Sequence, residues 1–357
     1  MLSVLPFKFL FILVLGFGTL FSLSSVHWLS IWAGLEINLI AFVPILVYSK
    51  EILSSESTVK YFIAQAMGSS LLILGSLIGF SPVLSWNFMD SLLYEHLTGL
   101  LMINLALILK MGAFPLHYWL PSVMAGLQWS SCLILVTWQK VAPIFLMMSF
   151  FEANFVFWFA LILTLLGAGS SMMGGVGGIG QTQIRVLLAY SSIGHLGWIM
   201  FSIVFSSLST KLYFFIYVLI SVGIFLNLWI LDMENMINMK SFSQKSNINI
   251  MNILMLLVSL GGLPPLLGFI SKMYVVLSCI NYKFFFILGF LILGALMSLS
   301  YYLGLFFSLY LSCSSFTSIK LYLNNLWLIL VNYVVLMANF LGILVISWLM
   351  FINISFF

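Results

Sequence analysis

The sequence predicts an all-α polytopic membrane protein with about eleven transmembrane helices. Of its 357 residues, 63% are hydrophobic and only 6% are charged, with a mean hydropathy of +1.23. About a quarter of the residues of a soluble domain are charged. The apolar runs are long and do not alternate with polar residues, which favours membrane helices over a β-barrel. The net charge of +4 is small and dispersed, which argues against a nucleic-acid partner.

Windows of about twenty apolar residues mark the individual spans. They run near 4–23, 26–48, 61–80, 97–118, 127–150, 155–173, 184–205, 212–231, 250–280, 284–311 and 326–351. The longest connectors, 81–96 and 232–249, are too short to form a soluble domain. The chain, residues 1–357, is therefore interpreted as a single transmembrane domain.

Four charged residues fall well inside these spans: Glu36, Lys110, Lys140 and Lys272. A charge near the bilayer centre costs roughly 2.5–3.5 kcal/mol on insertion scales, so such residues are candidates for function. Lys110 lies near the middle of an apolar run that breaks at Gly112 and Pro115. Backbone groups freed by a break are tolerated at that depth only inside protein or beside water.

Lys272 has a similar setting, because it follows the glycines and prolines of the segment 261–268. The fourth and ninth spans thus each combine a lysine with a break, and both are expected to be broken helices. Such a correspondence between two halves indicates a transport site built from inverted repeats. The repeats would cover about 4–150 and 155–311, five spans each, with an extra C-terminal helix at about 326–351.

Each candidate also has a plainer interpretation. Glu36 is either a structural acid bonded to a neighbouring helix or the acid of an ion pair with Lys110. Lys140 is an interfacial anchor if the fifth span is shifted, although apolar runs on both sides favour a buried position. His195, beside two serines and two glycines, is either a hydrogen-bonded core residue or a proton relay. His117 is a weaker candidate because it lies nearer a span end.

Other motifs predict no cofactor or metal. The segment 175–180 matches GxGxxG, but a dinucleotide fingerprint needs a preceding strand and an acid about twenty residues later. It is interpreted as a flexible loop between two spans. Cys132, Cys279 and Cys313 have no metal-binding spacing and are expected to be small core residues. No P-loop, CxxC set or haem histidine pair is recognisable.

The loops predict the orientation. Most lysines, and the single arginine Arg185, fall at the N-terminus or in loops after even-numbered spans. The N-terminus is therefore expected on the positive side, matrix or cytoplasm, and the C-terminus on the other. The chain starts without a recognisable leader. With its phenylalanine content, this suits a product encoded in an organelle and made beside its membrane.

Six segments together resemble the chain 2 family of NADH:ubiquinone oxidoreductase, the antiporter-like subunits in the membrane arm of respiratory complex I. The resemblance spans about residues 26–272, in the same order. The segments are Trp32-Ala-Gly-Leu-Glu36-Ile-Asn38, Lys110-Met-Gly-Ala-Phe-Pro115-Leu-His117-Tyr-Trp119-Leu-Pro121, Thr137-Trp-Gln-Lys140-Val-Ala-Pro143, Gln181-Thr-Gln-Ile-Arg185, Tyr190-Ser-Ser-Ile-Gly-His195-Leu-Gly-Trp198 and Gly261-Gly-Leu-Pro264-Pro265-Leu-Leu-Gly268-Phe.

The resemblance implies two inverted repeats of five helices and a role for each charge. Glu36 and Lys110 would form the coupling pair, and Lys140 would be the central relay. Lys272 would be the exit-side lysine, and His195 would belong to the hydrated connection between them. Fuller members of the family have three more spans at the N-terminus, and the shortened form resembles the mitochondrial subunit of animals. Ser122 stands where an acid often follows the proline, so the role of that acid is in doubt here.

The resemblance therefore implies a proton-translocating subunit of the mitochondrial inner membrane, with the N-terminus in the matrix and the C-terminus in the intermembrane space. It would be surrounded by lipid and by other membrane-arm subunits, including further antiporter-like ones. NADH, FMN, iron–sulfur clusters and ubiquinone would bind to other subunits, and no redox chemistry would occur in this chain. Two alternatives remain: a stand-alone cation/proton antiporter and a purely structural spacer.

Overall fold

The structure is a computed structural model. It describes residues 7–48, 51–78, 97–153, 157–231, 247–264, 266–279 and 284–313, together with Met337 and Asn339. The predicted eleventh span, 326–351, and the connector 81–96 lie outside the described residues, apart from Met337 and Asn339. Most of the connector 232–249 also lies outside them.

The described residues form thirteen α-helices, which confirms the predicted all-helical class. Seven segments are long and apolar enough to cross a membrane, so the count of about eleven spans stays a prediction. The helices are α1 (Lys8–Ser24), α2 (Trp28–Val47), α3 (Ile52–Ile78), α4 (Leu97–Met111), α5 (Trp119–Ala125), α6 (Trp129–Val136), α7 (Trp138–Ala153), α8 (Phe157–Gly178), α9 (Ile184–Phe205), α10 (Ser207–Leu231), α11 (Asn247–Gly261), α12 (Leu267–Cys279) and α13 (Phe285–Cys313).

The chain divides into two compact units, Met1–Leu163 and Thr164–Phe357. In the first unit α2 packs between α1 and α3, while α3 also packs against α4 and α5. The helix pairs approach closely at small residues: a Cβ added at Gly18 would lie 2.9 Å from the carbonyl oxygen of Gly34. Such small-residue contacts are the usual means by which membrane helices pack.

In the second unit α9 is the central helix. It is buried on nearly all sides, as expected for a helix surrounded by others, and it packs against α10, α12 and α13. By contrast α13 exposes large apolar side chains such as Phe286, which is 80% exposed. An exposed apolar face of this kind suits contact with lipid.

The glycine segment 175–180 corrects a prediction. It was expected to be a loop, but α8 continues through it to Gly178. These glycines instead allow close packing: a Cβ at Gly175 would lie 2.8 Å from the carbonyl oxygen of Gly294, and one at Gly178 would meet the ring of Tyr301 at 2.5 Å. The turn begins only at Ile179 and includes Gly180, whose φ is +84°.

The predicted fifth span, 127–150, is also not one continuous helix. It consists of α6 and α7, which are separated by Thr137. Pro143 lies within α7 and crowds the carbonyl of Gln139, four positions earlier, so it does not account for the interruption at Thr137. Cys132 and Cys279 are buried, as predicted, and form no disulfide, while the side chain of Cys313 lies outside the described residues.

Candidate functional site

The first broken helix ends with a glycine cap two residues after Lys110. Gly112 has a φ of +74°, and its N–H donates to the carbonyl of Leu109 at 3.1 Å. The N–H of Ala113 donates to the carbonyl of Ile108 at 3.2 Å. This is the Schellman arrangement, in which a residue with positive φ closes the helix. The predicted break in the fourth span is therefore present, and α5 resumes at Trp119.

Two side chains also donate hydrogen bonds to carbonyls at this helix end. The indole N–H of Trp119 donates to the carbonyl of Leu109 at 2.9 Å. The amide of Gln65, on α3, donates to the carbonyl of Lys110 at 3.3 Å. Since a membrane interior offers no water to such groups, protein donors make the break tolerable.

The side chain of Lys110 is enclosed by protein and is 6% exposed. Its methylene groups lie against Gly68, where an added Cβ would come within 3.0 Å of Lys110 Cγ. Glu36 lies within electrostatic range of Lys110 and of the buried Tyr61. Glu36 and Lys110 do not, however, form a direct ion pair within the described residues. The structure thus brings the predicted pair into one region without joining the two charges.

Lys140 lies in the first turn of α7 and is one of the largest fully buried side chains, 2% exposed. This position excludes an interfacial anchor in the structure. The preceding residue, Gln139, donates a hydrogen bond to Oδ1 of Asn38 on α2 at 3.1 Å. Since α7 also packs against α4, Lys140 belongs to the same unit as Glu36 and Lys110.

The second broken helix has the same backbone cap. Gly262 has a φ of +78°, its N–H donates to Ser259 at 3.0 Å, and the N–H of Leu263 lies 3.5 Å from the carbonyl of Val258. The first described helix after the break is α12, which begins at Leu267. Here the predicted lysine takes part in the cap.

Lys272 closes this break with its own ammonium group. Its Nζ donates to the carbonyl of Gly261 at 2.8 Å, which places a cation at the negative end of α11. A Cβ at Gly262 would lie 2.8 Å from the same Nζ, so the glycine also leaves room for the lysine. The break and the lysine, predicted from separate signals, form one structure.

His195 and Lys272 line the same small cavity. The cavity is also lined by Ser171, Ser191 and Ser298. Inside it, the centre of a water molecule could occupy a volume of about 10 Å³. That is roughly what one water molecule requires. His195 Nδ1 lies 2.9 Å from the hydroxyl of Tyr213. His195 is thus a hydrogen-bonded core residue that also faces a polar cavity, and its role as a proton relay stays a prediction.

Two other predicted positions are less central. His117 is buried in the first break, where its Nδ1 lies 3.2 Å from the carbonyl of Pro115. Ser122 is exposed and donates to the carbonyl of Trp119 in its own helix, so nothing in its contacts replaces the acid common in the family. Among the described residues, no group of three or more His, Cys, Asp or Glu side chains is placed to hold a metal ion.

Sequence reasoning missed the neutral residues around these charges. Gln65, Gly68 and Trp119 surround the end of α4, and Tyr213 bonds His195. Only Trp119 stood in a motif that had been noted. Gln65 gave a usable signal as the one amide in its span, because a polar group in a membrane helix needs a partner.

Comparison with known proteins identifies the family. The profile described as NADH:quinone oxidoreductase/Mrp antiporter, transmembrane region, matches residues 25–298. NADH-ubiquinone oxidoreductase chain 2 of Anopheles gambiae is 39% identical over 310 residues, which is 85% of each chain. The chain 2 protein of Lumbricus terrestris is 38% identical over 296 residues, 82% of this chain and 83% of that protein.

The chain belongs to the NADH:quinone oxidoreductase/Mrp antiporter family. Its curated relatives make it a chain 2 type subunit of NADH:ubiquinone oxidoreductase, as the six sequence segments predicted. Like other chains of this type, it is a multi-pass protein of the mitochondrial inner membrane.

Solved structures agree on the fold. A chain of respiratory complex I from Thermus thermophilus, determined with bound aureothin, matches with a TM-score of 0.83 at 22% identity, over 94% of this chain and 78% of that one. A chain of the Mrp complex from Dietzia sp. matches with a TM-score of 0.74 at 12% identity, over 85% of this chain and 60% of that one. The antiporter-like fold predicted from the sequence is thereby confirmed.

Proposed function

We propose that this subunit moves protons across the inner membrane through Glu36, Lys110, Lys140, His195 and Lys272, driven by quinone reduction elsewhere in the complex. The observation that carries the proposal is the burial of Lys110 and Lys140, which are 6% and 2% exposed. An ionisable group held inside a membrane protein at such cost marks a proton path more often than a structural contact.

Each unit contributes its own cluster to this proposal. In the first unit, Glu36 lies in electrostatic range of Lys110, so a change in the charge of one side chain alters the proton affinity of the other. In the second unit, Lys272 and His195 share a cavity with room for about one water, which supports proton transfer between them. The order in which the clusters act belongs to the proposal.

The work must come from outside this chain. Moving one proton against the membrane potential costs about 2.3 kcal/mol per 100 mV. We infer that neighbouring membrane-arm subunits, including further antiporter-like ones, deliver it by charge displacement. NADH, FMN, iron–sulfur clusters and ubiquinone would bind to those other subunits, and this chain would carry no cofactor. The N-terminus would face the matrix and the C-terminus the intermembrane space.

The two halves of the chain would be inverted repeats, about 4–150 and 155–311, followed by one extra helix. The identical backbone caps at Gly112 and Gly262 support this proposal, because both close a broken helix at corresponding points.

The decisive experiment replaces Lys110 with methionine, which keeps the length and removes the charge. Assembled complex carrying Lys110→Met is expected to lose most quinone-linked NADH oxidation together with proton uptake. Lys60→Met is the matched control, since that lysine is 47% exposed and pairs with Glu56 on its own helix. Normal proton pumping by an assembled Lys110→Met complex would contradict the proposal and indicate that the subunit is a structural spacer.

A stand-alone antiporter is the second candidate, and the fold match to the Mrp complex chain favours it. It predicts that the purified chain, reconstituted alone in vesicles, exchanges cations for protons without any redox partner. Absence of exchange, with pumping in the intact complex, would exclude it.

A further inference from the structure

An amide pair joins the helix of Glu36 to the helix of Lys140. Nε2 of Gln139 donates to Oδ1 of Asn38 at 3.1 Å. Asn38 is 3% exposed and follows Glu36 by two positions, while Gln139 directly precedes Lys140. The two candidate proton carriers are therefore connected through neutral neighbours on α2 and α7.

A second contact between the same helices fixes their direction. The rings of Trp28 and Phe150 meet edge to face with centroids 5.7 Å apart. Trp28 and Asn38 are separated by about 15 Å along α2, and Phe150 and Gln139 by about 16 Å along α7, at 1.5 Å per residue. The helices α2 and α7 are therefore antiparallel, and the two contacts are separated by nearly the same distance along each helix.

The two contacts constrain the helices differently. An edge-to-face ring pair tolerates a range of centroid distances, roughly 4.5–7 Å, and so allows small shifts. A hydrogen bond weakens steeply when its distance and angle change. The helix α7 packs mainly against α4, α6 and α1, and the amide pair is the more geometrically exacting of its two contacts with α2.

The amide pair lies at the start of α7. Gln139 and Lys140 are in its first turn, directly after the interruption of the helix at Thr137. The bond to Asn38 connects this turn to α2.

We propose that Asn38 and Gln139 are a positioning pair that holds Lys140 in register with Glu36 during proton transfer. The pair is neutral at all relevant pH values, so it fixes geometry without competing for the transported proton. The inference rests on the proposed function, since it assigns the pair a role only if Glu36 and Lys140 carry protons.

A double-mutant cycle in the assembled complex tests the pair. Asn38→Leu and Gln139→Leu are each expected to lower coupled turnover about three- to tenfold, as small misplacements of reacting groups do. The double variant is expected to be no slower than the slower single one, because either change already removes the bond. Protons taken up per NADH oxidised should fall in the same variants.

The exchanged pair, Asn38→Gln with Gln139→Asn, is the most discriminating variant, because it tests whether restoring the hydrogen bond restores turnover. It keeps the total number of methylene groups and both amides, so the bond can re-form, and turnover should return to within about twofold of the original. Asn104→Leu is the control: this buried asparagine donates to the carbonyl of Leu100 in its own helix, and turnover should not change.

Three results would overturn the proposal: additive losses in the cycle, an assembled exchanged pair without recovery, or single variants that pump normally. If the single variants do not assemble, the exchanged pair decides, because restored assembly and pumping support the pair and failure of either removes it. The Lys110→Met experiment fails independently, so loss of this inference and loss of the proposed function are distinguishable.

Discussion

The two broken helices end with the same backbone cap but use their lysines in different ways. At the first break the lysine precedes the glycine, and neutral donors from Trp119 and Gln65 bind the exposed carbonyls. At the second break the lysine follows the glycine, and its ammonium binds the carbonyl of Gly261. If the two lysines carry protons as proposed, backbone support and proton binding are separate at the first break and combined at the second.

The difference has a consequence for coupling. A hydrogen bond from a charged donor is roughly twice as strong as one between neutral groups. A change in the charge of Lys272 therefore changes the support of the second break directly. At the first break the charge of Lys110 can change while the bonds from Trp119 and Gln65 stay as they are. Three predictions break or sharpen this contrast.

The largest effect is expected at Gly268, near the start of α12. A methyl group there would overlap the carbonyl oxygen of Ser259 on α11, and backbone atoms cannot move aside cheaply. Gly268→Ala should destabilise the second break by about 3 kcal/mol or more and block assembly of the subunit, as judged by native gel electrophoresis. Gly289→Ala is the control, since a Cβ there meets open space. Normal assembly of Gly268→Ala would contradict the close packing of α11 and α12.

An intermediate effect separates the two lysines. Lys272→Met removes the cap from Gly261 and should lower the stability of the subunit by about 1–3 kcal/mol, the cost of leaving a buried carbonyl unsatisfied. Lys110→Met leaves the caps of the first break in place and should not lower stability. Both stabilities can be measured by heating the purified complex and recording the temperature at which this subunit is lost from it. Equal losses in the two variants would remove the contrast between the breaks.

The smallest effect is expected at Trp119. Trp119→Phe removes the indole donor but keeps an aromatic ring against Tyr61, and Leu109 still accepts a bond from Gly112. The cost should be about 1 kcal/mol, seen as faster hydrogen exchange at the amides of Gly112 and Ala113. Trp158→Phe, at a 66% exposed indole, should leave exchange at these amides unchanged. A similar acceleration in both variants would contradict the capping role.

The sequence alone was sufficient to predict the buried charged residues and the two helix breaks. Lys110, Lys272 and their glycines stand out because each violates a strong rule for membrane helices, and such a violation is visible without knowing any neighbour. The roles predicted for the charged residues stay predictions, because the structure gives their surroundings and not their protonation during turnover.

The neutral surroundings could not be predicted in the same way. Gln65 and Asn38 are ordinary polar residues until the helices that they contact are known. The glycine segment 175–180 was wrongly predicted to be a loop. A glycine that a turn requires and one that close helix packing requires cannot be told apart in a single sequence. The interruption at Thr137 was not predicted, and Pro143 does not mark it because its ring crowds the carbonyl of Gln139, inside α7.

The glycine contacts of α8 have a consequence for inheritance. A Cβ at Gly167 would lie 2.9 Å from the carbonyl oxygen of Gly197, and one at Gly294 would lie 2.6 Å from that of Ser171. Every missense change in a glycine codon adds at least a Cβ, so none at these positions is sterically silent. At Gly304 a Cβ would meet open space within this chain, so a small side chain is expected to be tolerated there. We therefore expect the fewest tolerated substitutions among related chains at the glycines where two helices approach most closely.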